Sequence, residues 1–191
     1  MSLPLHQSMT LPEFLAWEAR QPFRHEFDGL RPVAMTGGTA AHALIQRNLA
    51  ISIDARLRGT PCTFYGSDLK IETAGRIRYP DGFVVRTPAP PRITLVRDPV
   101  VIFEVLSTST SGTDRITKNQ EYAALPSVQR YVMLEQDRIG ATIFARIGPD
   151  WLGHILTDDA ILALPEIGLT IPLAELYEGV DLAAVSSTEA G

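Results

Sequence analysis

The chain has 191 residues and 20.9 kDa, with 45% hydrophobic and 20% charged residues, which suits one soluble globular domain with a substantial core. Its net charge of −5 excludes the broad basic footprint of a non-specific nucleic-acid binder, and no run approaches the roughly 18–20 apolar residues of a membrane helix. A single cysteine, Cys62, excludes an internal disulfide, and Met1 to Met9 lack the basic-then-apolar pattern of a secretory signal, so the expected setting is the cytoplasm.

Thr10-Leu11-Pro12-Glu13 has capping-box spacing and predicts a helix to Arg20, ended by Gln21-Pro22. Arg24 to Phe27, the Asp28-Gly29 turn and Leu30 to Met35 read as a β-hairpin. Thr39 to Arg58 reads as the longest helix, closed by Gly59, with Ile45, Leu49, Ile53 and Leu57 facing the core. Short strands are expected at Thr63 to Tyr65, Leu69 to Thr73 and Ile77 to Tyr79, and Asp81 opens another through Val85. The proline-rich stretch Thr87 to Arg92 is a surface connection.

Pro99 to Leu106 has the near-continuous apolar character of a central buried strand. A polar loop at Ser107 to Thr113 leads to a helix over Asp114 to Leu125, stopped by Pro126. Strands follow at Val128 to Leu134, Gly140 to Ile147 and Trp151 to Leu156, then a short helix over Pro172 to Tyr177 and a frayed tail from Ser186. The order of elements predicts an α/β (α+β) fold around a mixed sheet, with one domain over residues 10–182 and tails at 1–9 and 183–191.

Three residues carry the chemistry. Glu104 interrupts the apolar run Val100 to Leu106, on the face shared by Ile102 and Leu106, and a carboxylate there needs a strong partner. Asp81 opens the neighbouring strand after Pro80. Lys118 sits on the following helix and is one of two lysines, with Lys70, among 17 basic residues. In so arginine-rich a chain a retained lysine points to a task for a compact ammonium group. Two carboxylates and an ammonium suit a Mg²⁺- or Mn²⁺-dependent phosphodiester hydrolase. The plainer readings are a Glu104–arginine pair and an Asp114–Lys118 surface pair.

Taken together, Pro80-Asp81, the run Glu104-Val105-Leu106-Ser107-Thr108-Ser109-Thr110, and Asp114, Lys118 and Tyr122 resemble the PD-(D/E)XK nuclease superfamily. More narrowly they resemble its bacterial restriction-endonuclease-like branch, which also has Glu-hydrophobic-Asp-Gly in an early hairpin (here Glu26-Phe27-Asp28-Gly29) and a helical histidine (here His42). The resemblance spans Thr10 to Leu182. It implies a restriction-endonuclease-like core, a central mixed β-sheet flanked by helices. Asp81, Glu104 and the Val105 carbonyl would hold the metal, and Lys118 would orient or activate the attacking water or stabilise the pentavalent phosphate. The superfamily pattern places its lysine two residues after the acid, where this chain has Leu106. Branches with a relocated lysine supply it from the next helix, where Lys118 lies.

Glu26 resembles an accessory acid, but reads equally as a solvated hairpin carboxylate. His42 either lines the site or caps and packs. Tyr122 is expected to pack, and Ser107 and Thr110 to bond within the loop.

The leading expectation is an endonuclease acting on DNA with Mg²⁺ or Mn²⁺. The alternative is a catalytically inactive nuclease-fold module that binds nucleic acid or protein. A carboxylate-pair glycosidase is disfavoured by the 7% aromatic content. Arg47, Arg56, Arg58, Arg76, Arg78 and Arg115 are the expected basic surface for DNA. A homodimer or higher homo-oligomer is expected, because double-strand cutting needs two sites and the β-rich C-terminal half offers edges.

Overall fold

The computed structural model describes residues 8–35, 37–106 and 112–187. Ser107 and Thr110 lie outside the described residues, as does the side chain of Asp114.

Helix α1 (Leu11–Glu18) starts with the expected capping box: Glu13 N–H donates to Thr10 Oγ1, and Thr10 N–H donates to Glu13 Oε2 at 2.8 Å. The hairpin of β1 (His25–Phe27) and β2 (Pro32–Ala34) turns at Asp28, whose Oδ1 accepts the Leu30 and Arg31 N–H groups. Thr39 caps α2 (Ala40–Leu57), and its stripe Ile45, Leu49, Ile53 and Leu57 is buried.

Strands β3 (Thr63–Gly66), β4 (Lys70–Thr73), β5 (Arg76–Arg78), β6 (Gly82–Val85) and β7 (Leu95–Val96) precede the central β8 (Val101–Val105). Helix α3 (Gly112–Ala123) then leads to β9 (Arg130–Leu134), β10 (Gly140–Ile147), β11 (Asp150–Thr157), β12 (Ile161–Leu164), β13 (Leu169–Pro172) and α4 (Leu182–Ser187).

The central mixed sheet runs β11-β10-β9-β8-β6-β3, with β8 and β9 parallel and the other pairs antiparallel. The side chains of β8 alternate as expected. Val101, Phe103 and Val105 face α2 and the β12-β13 ribbon, while Ile102 faces Tyr122 of α3 and a second sheet. That five-stranded sheet, β2-β1-β5-β4-β7, carries α1 on its other side through Phe14, Phe27, Ile77 and Tyr79. The α+β class and helix-flanked mixed sheet match the sequence reading.

The short helix expected over Pro172 to Tyr177 is present as a 3-10 helix at Leu173–Tyr177. Three local expectations need correction. Asp81 immediately precedes β6 instead of opening it. The tail is helical through Ser187. Strands β7, β12 and β13 were not anticipated. In β12 and β13 the exposed-buried alternation of Ile161 to Leu164 and Leu169 to Pro172 was the available signal.

Candidate active site

The register of the central sheet builds the site. Gly82 pairs with Phe103 across antiparallel β6 and β8, so the residue before Gly82 and the residue after Phe103 meet at the same end of the sheet. Asp81 Oδ2 accepts the Val105 N–H at 2.6 Å, and its Oδ1 accepts Gln46 Nε2 of α2 at 2.5 Å. Glu104 points to the other face of β8, as the alternation requires. There its Oε1 accepts both Lys118 Nζ at 3.0 Å and the Tyr122 hydroxyl at 2.9 Å. Lys118 and Tyr122 are four residues apart on α3, so one helix face delivers both.

His42 and Glu26 complete the group. His42 Nε2 of α2 lies 3.3 Å from Asp81 Oδ2. Glu26 of β1 lies 3.7 Å from Lys118 Nζ, accepts the Tyr79 N–H at 3.1 Å and pairs with Arg78 Nη1 at 3.1 Å. Its reading as a solvated hairpin carboxylate is therefore corrected. Asp81, Glu104, Val105, Lys118, Glu26 and His42 all line one cavity of about 440 Å³. Tyr122 is wholly buried, edge-on to Tyr131 at 4.8 Å, so it packs and also holds Glu104.

The site is short of positive charge. Its cavity is lined by four carboxylates (Glu26, Asp28, Asp81 and Glu104) against Lys118, His42 and an Arg78 already paired with Glu121, so a bare phosphate gains from a further cation. Burial pushes the Glu104 carboxyl up to about 7 against the pull of Lys118, with Asp81 and Glu26 adding to the rise. Burial also works against the Lys118 ammonium, but Glu104 and Glu26 outweigh it and hold its pKa above the ordinary lysine value. A hydrogen bond to Asp81, helped by the Asp81 and Glu104 charges and the Val105 backbone, raises the His42 imidazole despite its burial.

Among the described residues no group of three or more His, Cys, Asp or Glu side chains is arranged to hold a metal ion. Asp81, just before β6, and Glu104 of the adjoining β8 offer two carboxylates on the cavity wall. That set fits a hard cation such as Mg²⁺ or Mn²⁺, which needs only one or two carboxylates and keeps several waters, and does not fit a side-chain-only Zn²⁺ cage.

Gln46 and Glu121 were missed by the sequence reading of the site's chemistry, and Arg78 was assigned a different role. Glu121 of α3 forms a bidentate pair with Arg78, both contacts at 2.7 Å, and both residues are buried. Arg78 is thus corrected from a DNA-facing surface residue to a neutralised internal one. The available clue was that Arg76 and Arg78 share one face of a strand whose other face carries Ile77. Elsewhere in the expected basic surface, Arg56 pairs with Glu175 at 2.7 Å and Arg76 bonds the Asp28 carbonyl. Lys70, the other lysine, is buried against Glu18 at 2.6 Å and does not line the cavity.

Comparison with known proteins bears on the fold and the family. The structure resembles the crystal structure of a protein from Anabaena variabilis described as a putative nuclease belonging to DUF820, with a TM-score of 0.72 at 19% identity, covering 88% of this chain and 97% of that one. The uncharacterized protein slr1290 of Synechocystis sp. is 33% identical over 172 residues, 88% of this chain and 90% of its own length. A second uncharacterized Synechocystis protein, sll1609, is 26% identical over 152 residues, 75% of this chain and 85% of its own length. No helix among the described residues is long and apolar enough to cross a membrane. The family model of Uma2, described as a putative restriction endonuclease, matches residues 11–174, and the chain belongs to that family.

Proposed function

We propose that this protein is a Mg²⁺- or Mn²⁺-dependent endonuclease that hydrolyses DNA phosphodiester bonds in the cytoplasm, acting as a homodimer or higher homo-oligomer through one domain over residues 10–182. The observation that carries this reading is the meeting of Asp81 and Glu104 at one end of β6 and β8, with Lys118 3.0 Å from Glu104. The nuclease fold and family support it.

Asp81, Glu104 and the Val105 carbonyl would hold the cation. When bound, the cation supplies Lewis-acid stabilisation of charge on the scissile phosphate. The rest falls to the chain's own side chains. Gln46 and the Val105 N–H fix the Asp81 carboxylate, and Tyr122 fixes Glu104. Lys118, held as an ammonium by Glu104 and Glu26 in the metal-free site, would orient or activate the attacking water or stabilise the pentavalent phosphate.

The test is a Mg²⁺ and Mn²⁺ titration with single- and double-stranded DNA and RNA. Asp81→Ala and Glu104→Ala should each abolish metal binding and cleavage. If both variants cut as well as the parent, the site is misassigned. If the parent binds metal and nucleic acid but cuts nothing, the inactive binding module is the correct reading.

A further inference from the structure

A lysine supplied from a helix, in place of one on the strand beside its acid, is located only as well as the helix is. On a strand, pairing in the sheet sets the lysine's height relative to the glutamate. On α3 nothing in the β8 register does so. The helix must therefore be fixed against translation and rotation by contacts of its own.

The Arg78–Glu121 pair meets that need. Arg78 Nε donates to Glu121 Oε2 and Nη2 to Oε1, each at 2.7 Å, a two-point contact that fixes orientation as well as distance. Arg78 is 6% and Glu121 3% exposed, so water does not compete for either group. The third guanidinium nitrogen, Nη1, reaches Glu26 Oε2 at 3.1 Å, and Glu26 Oε1 is 3.7 Å from Lys118 Nζ. Thr73 Oγ1 also donates to the Glu121 carbonyl at 2.7 Å, tying the same helical turn to β4. Glu121 is three residues from Lys118 and adjacent to Tyr122, the two residues that hold Glu104 Oε1.

We infer that Arg78 and Glu121 are positioning residues that clamp α3 to β5, setting where Lys118 and Tyr122 meet Glu104. The role in turnover rests on the proposed nuclease reading; the geometric role does not.

The chain has two lysines, so ¹⁵N-lysine labelling yields one Nζ signal for Lys118 and one for Lys70 as an internal control. Glu121→Gln leaves a buried guanidinium half-paired and can fail to fold. The double variant R78M/E121M removes both charges at similar volume, a replacement buried ion pairs commonly tolerate. In whichever variant folds, the Lys118 signal should move or broaden while the Lys70 signal stays. kcat should fall at least about tenfold, with KM and the Kd for Mg²⁺ within about twofold of the parent. An unchanged Lys118 signal and kcat in a folded variant overturn the inference. So does joint loss of both lysine signals, which would mean that the pair holds the whole fold and not the lysine. A parent that cleaves nothing, with the Lys118 signal still responding as expected, defeats the nuclease reading and leaves the clamp standing.

Discussion

Lys118 Nζ and Glu104 Oε1 form a 3.0 Å ion pair between α3 and β8, fourteen residues apart in the chain. Glu104 is buried and Lys118 is largely so, which separates this contact from the surface pairs that contribute little.

Lys118→Met should remove that charge while leaving the oxygen donors in place. The expected result is a fall in kcat on the order of 10²–10³-fold, the range seen when a transition-state charge donor is lost. Isothermal titration with Mg²⁺ should give a dissociation constant close to the parent's. Weakened metal binding with normal turnover would contradict the role.

The raised Glu104 carboxyl makes metal-free stability depend on pH. A carboxyl with a raised folded pKa contributes its stability below its unfolded value and loses it as pH climbs through the folded one. For Glu104 that window runs from 4.5 to about 7, so this group should make the metal-free protein less stable above the window than below it. A cation bound at Glu104 competes with the same proton. Mg²⁺ should therefore raise Tm more at about pH 8 than at about pH 6, read by differential scanning fluorimetry. Equal shifts would argue against Glu104 as a ligand.

Lys70 tests the structural use of the second lysine. Its Nζ donates to Glu18 Oε2 at 2.6 Å, and the Tyr79 hydroxyl donates to Glu18 Oε1 at 2.7 Å, joining α1 to the five-stranded sheet. Lys70→Met leaves the Glu18 carboxylate buried with half its partners and should cost roughly 3–5 kcal/mol in urea unfolding. Lys70 does not line the cavity, so metal binding should be unchanged in the folded fraction.

Gly82 opens β6 directly after Asp81, and a Cβ there would collide with the Phe64 ring. Phe64 is held in turn by Phe103, at a 6.4 Å ring separation. Gly82→Ala should cost roughly 1–3 kcal/mol by overpacking. By shifting β6 it should also weaken Mg²⁺ binding. A variant as stable as the parent would mean that the ring can move aside.

Local signals carried most of the element reading. The Thr10 capping box, the Asp28-Gly29 turn, the four-residue stripe of α2 and the apolar run of β8 each reflect interactions within a few residues, and each element formed where those signals lay. The alternation of β8 also placed Glu104 opposite Phe103 and Val105 before any packing was considered. The weaker signals were the short strands. A two-residue strand such as β7 exists only because β4 is there to pair with it.

The sequence by itself determined the chemical inventory: two carboxylates flanking a buried strand pair, a scarce lysine on the following helix, and the order of elements that brings them near. The tertiary structure alone decided the pairings. Arg78 looked like one more surface arginine until folding buried it against Glu121 and Glu26, and Lys70 looked as unusual as Lys118 until it proved to be an α1 anchor. Residues 43 and 52 positions apart meet through sheet registry and helix docking, and no local pattern encodes such distances. Charge partners inside a fold are chosen by desolvation, which forces each buried ion to find whatever counter-charge the packing brings within reach.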